Sequence, residues 1–302
     1  MKNSEILVSV HVVTYNHEKY IAQAIEGILS QITEFEFEIV IGEDKSTDGT
    51  LLICKQYQKL YPEKIKLVER QVNIGSLNNF IDLFNHCNGK YIAICEGDDY
   101  WINSTKLQSQ VDFLEENNDY ILSFSKSYEY FEADNELIET KYPEKINNLT
   151  IPQLLKYSWF IRTATILFKR DKLNFQFLLK VRYGVDYFLQ LLLLNQGKFH
   201  FLNEITSVYR HHPNGISLSS KNVYLERRLI LIKNLIFFDN YSKKLYTREI
   251  NKAIQTIRVG IFDFSLINFK FKYLKAIKFV DFIPLSVHLT KRLYSKIKCS
   301  LR

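Results

Sequence analysis

Four times in the first 95 residues, a short apolar run breaks into a polar turn. Ile6–Val13 ends in Thr14-Tyr15-Asn16-His17 and continues as a helical pattern from Glu18 to Gln31. Phe37–Gly42 ends in Glu43–Thr50 and leads to a helix from Leu51 to Leu60, with Ser46 or Thr47 as its expected cap. Ile65–Glu69 gives way to the loop Arg70–Ser76 and a helix over Leu77–Cys87, and Tyr91–Cys95 runs into Glu96-Gly97-Asp98-Asp99. Short buried strands alternating with helices imply parallel strands joined by right-handed crossovers. The expected fold is therefore α/β, a doubly wound, mostly parallel sheet flanked by helices. Ligands of such sheets bind beyond the carboxyl ends of the strands, so all four polar turns should share one edge.

The fourth turn is the most demanding, with three carboxylates in four positions closing an apolar strand. Charge placed there requires a cation, hydrogen-bond donors or water to offset desolvation. An acidic turn by itself is only a solvated loop. Four polar turns converging on one rim make a site.

Beyond Trp101 the pattern predicts a helix over Lys106–Asn117, a strand pair from Ile121–Phe131 and Leu137–Tyr142, and a helix over Thr150–Trp159. A strand over Thr163–Phe168 and a short helix over Lys172–Leu179 follow. Asp186 opens the apolar helix Tyr187–Asn195, where a carboxylate is electrostatically favoured. Two short strands, Phe199–Leu202 and Ile205–Tyr209, lead into the polar loop Arg210–Ser217.

From about Asn222 the chain reads as all helical, in segments near 222–238, 244–260, 266–280 and 285–298. Residues 1–220 are thus expected to form one domain, and 221–302 a helical appendage. The charge divides at the same place. The appendage carries 18 Lys/Arg against 5 Asp/Glu, and the first 220 residues carry 22 against 28. In Phe262–Val280, aromatic and aliphatic residues alternate with Lys270, Lys272, Lys275 and Lys278, a composition suited to an anionic membrane surface. Nucleic acid is the poorer reading of the same charge, since no recognised binding motif accompanies it, and none is expected as a partner.

The four cysteines form no CxxC pair, which favours a reduced, intracellular setting. No cleavable signal peptide and no bilayer-spanning apolar run of about 18 residues is expected. A dehydrogenase is disfavoured by the lack of GxGxxG after the first strand. A sugar-phosphate nucleotidyltransferase would show a glycine-rich basic loop where this chain has Thr14-Tyr15-Asn16-His17.

Taken in order, VSVHVVTYN at Val8–Asn16, IVIGEDKSTDGT at Ile39–Thr50, NIG at Asn73–Gly75, the acidic segment Tyr91–Trp101 and the Asp186 segment resemble the family 2 glycosyltransferases of GT-A fold that build bacterial surface polysaccharides. The resemblance covers residues 5–218 and does not reach the tail. It implies a nucleoside-diphosphate sugar held at the strand ends, with Thr14, Tyr15, Asn16, Arg70 and Asn73 around the nucleotide. Asp44 matches the acid that binds the base, and a carboxylate suits the imide N–H of uracil or thymine.

Asp98 and Asp99 match the family's DxD-type motif, with Glu96 in place of its usual first Asp. The resemblance implies donor contacts from Glu96 and Asp98 and a divalent Mn²⁺ or Mg²⁺ held by Asp99, Asp98 and His212. Arg210 is implied to grip the diphosphate, and His211 to point elsewhere. Asp186 matches the catalytic base of an inverting transfer, although Val185 stands where a second acid is usual. The implied activity is transfer from a UDP-sugar, or next a thymidine one, to a hydroxyl of a lipid-linked surface glycan at the inner membrane face. Peripheral membrane contact and a homodimer are the expected associations of the tail. Glu96 and Val185 keep open an alternative, a nucleotide-sugar-binding or scaffolding relative that has lost turnover.

Overall fold

The computed structural model describes residues 6–144, 146–157, 159–173, 175–213, 215 and 221–267. The chain divides into two compact units, Met1–Leu218 and Ser219–Arg302.

The first unit is built on a nine-stranded sheet. Strands β1 (Val8–Thr14), β2 (Phe37–Glu43), β3 (Ile65–Glu69) and β4 (Tyr91–Ile94) are all parallel, in the order β3-β2-β1-β4. The apolar runs form interior strands because both faces are covered: every residue of β2 and β4 is buried. Helix α1 (Ile21–Leu29) buries Ile21, Ala24, Ile25 and Ile28, one stripe at helical spacing. Helices α2 (Thr50–Leu60) and α3 (Ser76–Leu83) complete the crossovers. The cap of α2 differs from expectation. Asp48 Oδ1 accepts from the Thr50 N–H at 3.0 Å, while Ser46 and Thr47 turn to Asn16 in the neighbouring loop.

The other half of the sheet is mixed. After β5 (Tyr100–Trp101) and α4 (Lys106–Glu116), the hairpin of β6 (Tyr120–Phe131) and β7 (Glu136–Glu139) forms as an antiparallel pair. Helix α5 (Ile151–Tyr157) precedes β8 (Leu167–Lys169), which runs antiparallel to both β4 and β6 and so joins the two halves. The expected strand from Thr163 is shorter, because the Thr165 hydroxyl donates to the Arg162 carbonyl at 2.6 Å and closes a 3-10 turn over Thr163–Thr165. The helix expected at Lys172–Leu179 is likewise a 3-10 segment, Phe175–Lys180.

Helix α6 (Val185–Leu194) follows, and then a single strand β9 (Lys198–His211) in place of the two expected. Asn203 and Glu204 do not turn the chain. They fall where the pairing with β6 jumps from Ser125–Leu202 to Lys126–Ile205, so the polar pair is absorbed as a bulge. β9 pairs antiparallel with β5 through Tyr100–Val208 and Trp101–Ser207, which carries Arg210, His211 and His212 back toward the acidic turn after β4.

The second unit contains α7 (Lys221–Tyr241) and α8 (Thr247–Ile267). Leu225, Leu235, Phe238, Ile250, Ile254 and Ile261 are buried, and the Tyr224 and Phe264 rings meet at 4.7 Å. The segments expected near 266–280 and 285–298, most of the basic membrane-type stretch and Cys299 lie outside the described residues apart from the end of α8. Among the described residues, no helix is long and apolar enough to cross a membrane.

Candidate active site

Three groups of polar residues meet beyond the carboxyl ends of β1, β2 and β4. The first surrounds Asp44, immediately after β2. Its backbone N–H donates to the Thr14 carbonyl at 3.1 Å, and its carbonyl accepts from Asn73 Nδ2 at 2.9 Å. Its Oδ1 accepts from the Ile74 N–H at 2.8 Å, while Oδ2 is buried without a partner. An unpaired buried carboxylate oxygen is costly, so a ligand N–H is the natural complement.

Asn16, in a left-handed conformation (φ 55°), accepts from the Thr47 N–H at 2.8 Å and joins this loop to the first. Asn73 also accepts from the Gly75 N–H, so both ends of its amide shape the loop. Arg70 turns to α3, with Nε on Asn79 Oδ1 at 3.0 Å and Nη1 on Asp82 at 2.7 Å; only Nη2 is left buried and unpaired. Thr14 is buried at the strand end, and Tyr15 is exposed.

The second group is the acidic turn. Asp98 Oδ2 lies 3.0 Å from His212 Nε2 and 3.7 Å from His17 Nε2. Burial alone would raise the Asp98 carboxyl, but the His212 hydrogen bond and the charges of His17 and His212 hold it below its ordinary range. Asp99 is buried. Its Oδ1 accepts from the Arg210 backbone N–H at 2.9 Å and its Oδ2 has no partner. Burial, with the neighbouring Asp98 and Glu96 charges, pushes the Asp99 carboxyl well up. Glu96 is pushed up to about 8 by burial and by Asp98 and Asp186.

Gly97 is required here by close packing. A Cβ would fall 2.7 Å from Thr14 Oγ1 and 3.0 Å from His17 Nδ1.

The ligand atoms of His17, Asp98 and His212 lie within 4.8 Å of one another, so these residues fit a divalent cation. The third partner of Asp98 and His212 is His17, where the sequence pointed to Asp99. One carboxylate oxygen and two imidazole nitrogens suit Mn²⁺ better than Mg²⁺, which prefers oxygen throughout. His17 was legible as a histidine in the first polar turn, but nothing local in the sequence couples it to residues 98 and 212.

Arg210 faces inward. Its Nε donates to the Asp98 carbonyl at 2.8 Å and its Nη2 to Gln23 Oε1 at 2.7 Å. The guanidinium carbon lies 4.8, 5.0 and 5.8 Å from the ring centres of Tyr20, Tyr100 and Tyr130. With its backbone N–H on Asp99, Arg210 pins the acidic turn to β9. His211 turns the other way, to Glu129 Oε2 at 2.9 Å, stacked on Phe131.

The third group is at the start of α6. Asp186 is half-buried, and burial raises its carboxyl; the nearby backbone N–H groups and the Arg162 charge oppose this without cancelling it. Asp186 and Glu96 lie close enough for the charge of one to raise the other. Trp101 is a core residue, its indole donating to the Ala164 carbonyl at 2.8 Å with Lys106 Nζ over the ring.

The family model described as "Glycosyl transferase family 2" matches residues 9–174. The chain is 33% identical to "Uncharacterized protein Rv1520" of Mycobacterium tuberculosis, over 73% of this chain and 62% of that protein. It therefore spans less than two thirds of the length of that relative. It is 30% identical to the Escherichia coli protein named "UDP-Glc:alpha-D-GlcNAc-diphosphoundecaprenol beta-1,3-glucosyltransferase WfaP", over 76% of this chain and 86% of that protein. Among solved structures, S. aureus TarS 1–349 in complex with UDP superposes with a TM-score of 0.62 at 18% identity, covering 87% of this chain and 74% of that one. This last likeness is one of fold.

Proposed function

Because the chain belongs to glycosyl transferase family 2, we propose that the three groups beyond the strand ends transfer a sugar from a nucleoside-diphosphate donor to an acceptor hydroxyl, with inversion. The observation that carries this is the meeting of Asp98 with two imidazoles from distant parts of the chain, at the same sheet edge as a buried, unpaired Asp44 oxygen and separated from it by β1. Asp44 Oδ2 accepts the imide N–H of a uracil or thymine base, and Asn16 and Asn73 hold the loops that frame it. His17, Asp98 and His212 would hold a divalent cation, Mn²⁺ by donor type. When bound, that ion supplies positive charge against the departing diphosphate. Arg210 fixes the turn that presents these ligands.

Asp186 takes the proton from the acceptor hydroxyl as its oxygen bonds to the anomeric carbon. The carbon–oxygen bond to the diphosphate breaks on the opposite face, and the electron pair leaves with the nucleotide. The donor class we favour is a UDP-hexose, and the acceptor a lipid-diphosphate-linked surface glycan of the kind named for the Escherichia coli relative. Residues 1–220 would carry the chemistry. The basic 221–302 region would keep the protein at the inner membrane face.

The experiment is nucleotide release from a panel of UDP- and dTDP-sugars with Mn²⁺, Mg²⁺ or chelator, for wild type, Asp98→Ala and Asp186→Asn. Release of UDP from one donor, supported by Mn²⁺ and lost in both variants, is expected. Donor binding with no release under any condition, membrane extracts included, would move the protein to the alternative of a binding relative without turnover.

A further inference from the structure

Helix α1 begins on a tyrosine. Tyr20 occupies its N-cap, where Ser, Thr, Asp or Asn would satisfy a free backbone N–H, and it makes no side-chain cap hydrogen bond. Its side chain is engaged elsewhere. Only 8% of the residue is exposed, and the ring packs on the imidazole of His212 with centres 4.6 Å and planes 52° apart. The hydroxyl donates to Glu132, whose Oε1 and Oε2 lie at 3.1 and 3.0 Å, and the Glu132 N–H donates in turn to the His211 carbonyl at 3.0 Å. Tyr20 thus meets the end of β9 twice, on the His212 ring and through the backbone just before it. The turn that holds Tyr20 also carries His17, whose carbonyl accepts from the Tyr20 and Ile21 N–H groups at 2.8 Å each.

A histidine that ligates a metal through one ring nitrogen is ordinarily oriented by a hydrogen bond from the other. Neither imidazole of this site has one. With Nε2 turned to Asp98, Nδ1 of His17 and Nδ1 of His212 are both buried, and no described group hydrogen-bonds to either. The hydrogen bond between His212 and Asp98 uses Nε2, the atom that would face the ion. Orientation of the His212 ring therefore falls to packing, and Tyr20 is packed on it. We propose that Tyr20 is the positioning residue of His212: its ring sets the plane of the imidazole, and its hydroxyl, latched to Glu132, keeps that ring in place. This rests on the reading of His17, Asp98 and His212 as a cation site.

The test is Mn²⁺ binding to the full chain, with calorimetry for the affinity and electron spin-echo EPR for the imidazole nitrogens coupled to the ion. Asp98→Ala is the control for the site itself. Tyr20→Leu removes the ring face and the hydroxyl together; it should weaken Mn²⁺ binding about 10- to 100-fold and reduce the nitrogen modulation from that of two imidazoles to that of one. Tyr20→Phe loses only the latch, so both nitrogens should remain while affinity falls about threefold. Wild-type affinity in Tyr20→Leu overturns the proposal, as does a weakened site that keeps both nitrogens, because Tyr20 would then act on the fold alone. Unchanged affinity in the near-isosteric Tyr20→Phe overturns it too, and decides the matter where Tyr20→Leu does not fold. No Mn²⁺ uptake by wild type, or uptake unaltered in Asp98→Ala, overturns instead the cation-site reading on which the proposal stands.

Discussion

Replacing Arg210 with methionine separates two roles that an arginine beside a diphosphate site can have. In the structure the guanidinium donates to the Asp98 carbonyl and to Gln23, and lies near three tyrosine rings. The residue is only 8% exposed, so water cannot readily take over these contacts. Each hydrogen bond from a charged donor contributes about 1.5–3 kcal/mol, and each cation–π contact about 0.5–2 kcal/mol. These terms share one group and do not add. Methionine retains much of the stem volume and its contacts with the rings. The expected loss is about 3–5 kcal/mol by urea denaturation. The backbone N–H that serves Asp99 survives the substitution. With the Asp98 carbonyl released, Mn²⁺ affinity should fall about tenfold in a calorimetric titration, equivalent to about 1.4 kcal/mol. Lysine should rescue little, since a point charge cannot serve both acceptors in a fork. If Arg210→Met stayed within about 1 kcal/mol of wild type and bound Mn²⁺ normally, while UDP affinity collapsed, the guanidinium would be a phosphate ligand and the pinning argument wrong.

Three other substitutions test the remaining parts. Asp44→Asn keeps the acceptor for the Ile74 N–H but can present an amide where Oδ2 lies; UDP affinity should drop at least about tenfold by calorimetry, with little change in melting temperature. Gly97→Ala drives a methyl against Thr14 and His17, and should cost about 1–3 kcal/mol in denaturation while weakening Mn²⁺ binding. His11 is buried under Phe80 and Phe84, and burial lowers it from 6.5 to about 4. The unfolded chain therefore takes up a proton in this window that the folded chain refuses. Stability should be full above pH 6.5 and fall by up to about 3 kcal/mol as the pH drops to 4, a slope absent from His11→Gln in pH-dependent melts.

The legible part of the site is the part that sits at strand ends. Asp44, Glu96 and Asp98 follow apolar runs whose length and composition mark them as buried strands, and parallel topology then sends all of them to one edge. Asp186 was legible as the opening acid of an apolar helix, and its meaning came from the order of motifs around it. Less was legible where the sheet becomes mixed. The bulge at Asn203-Glu204 and the threonine-closed turn before β8 depend on pairing partners elsewhere in the chain, so polar residues that look like turns are accommodated within or beside strands.

The sequence by itself determined the parallel half of the sheet and the edge at which a ligand sits, because a period of hydrophobicity and a strand–turn–helix rhythm are local properties. Only the tertiary structure decided which side chains meet there. His212 reaches Asp98 across 114 positions, Arg210 closes on the Asp98 carbonyl across 112, and His17 enters from a separate loop. Such contacts depend on strand register to within an ångström and on a glycine leaving room. No local propensity encodes either.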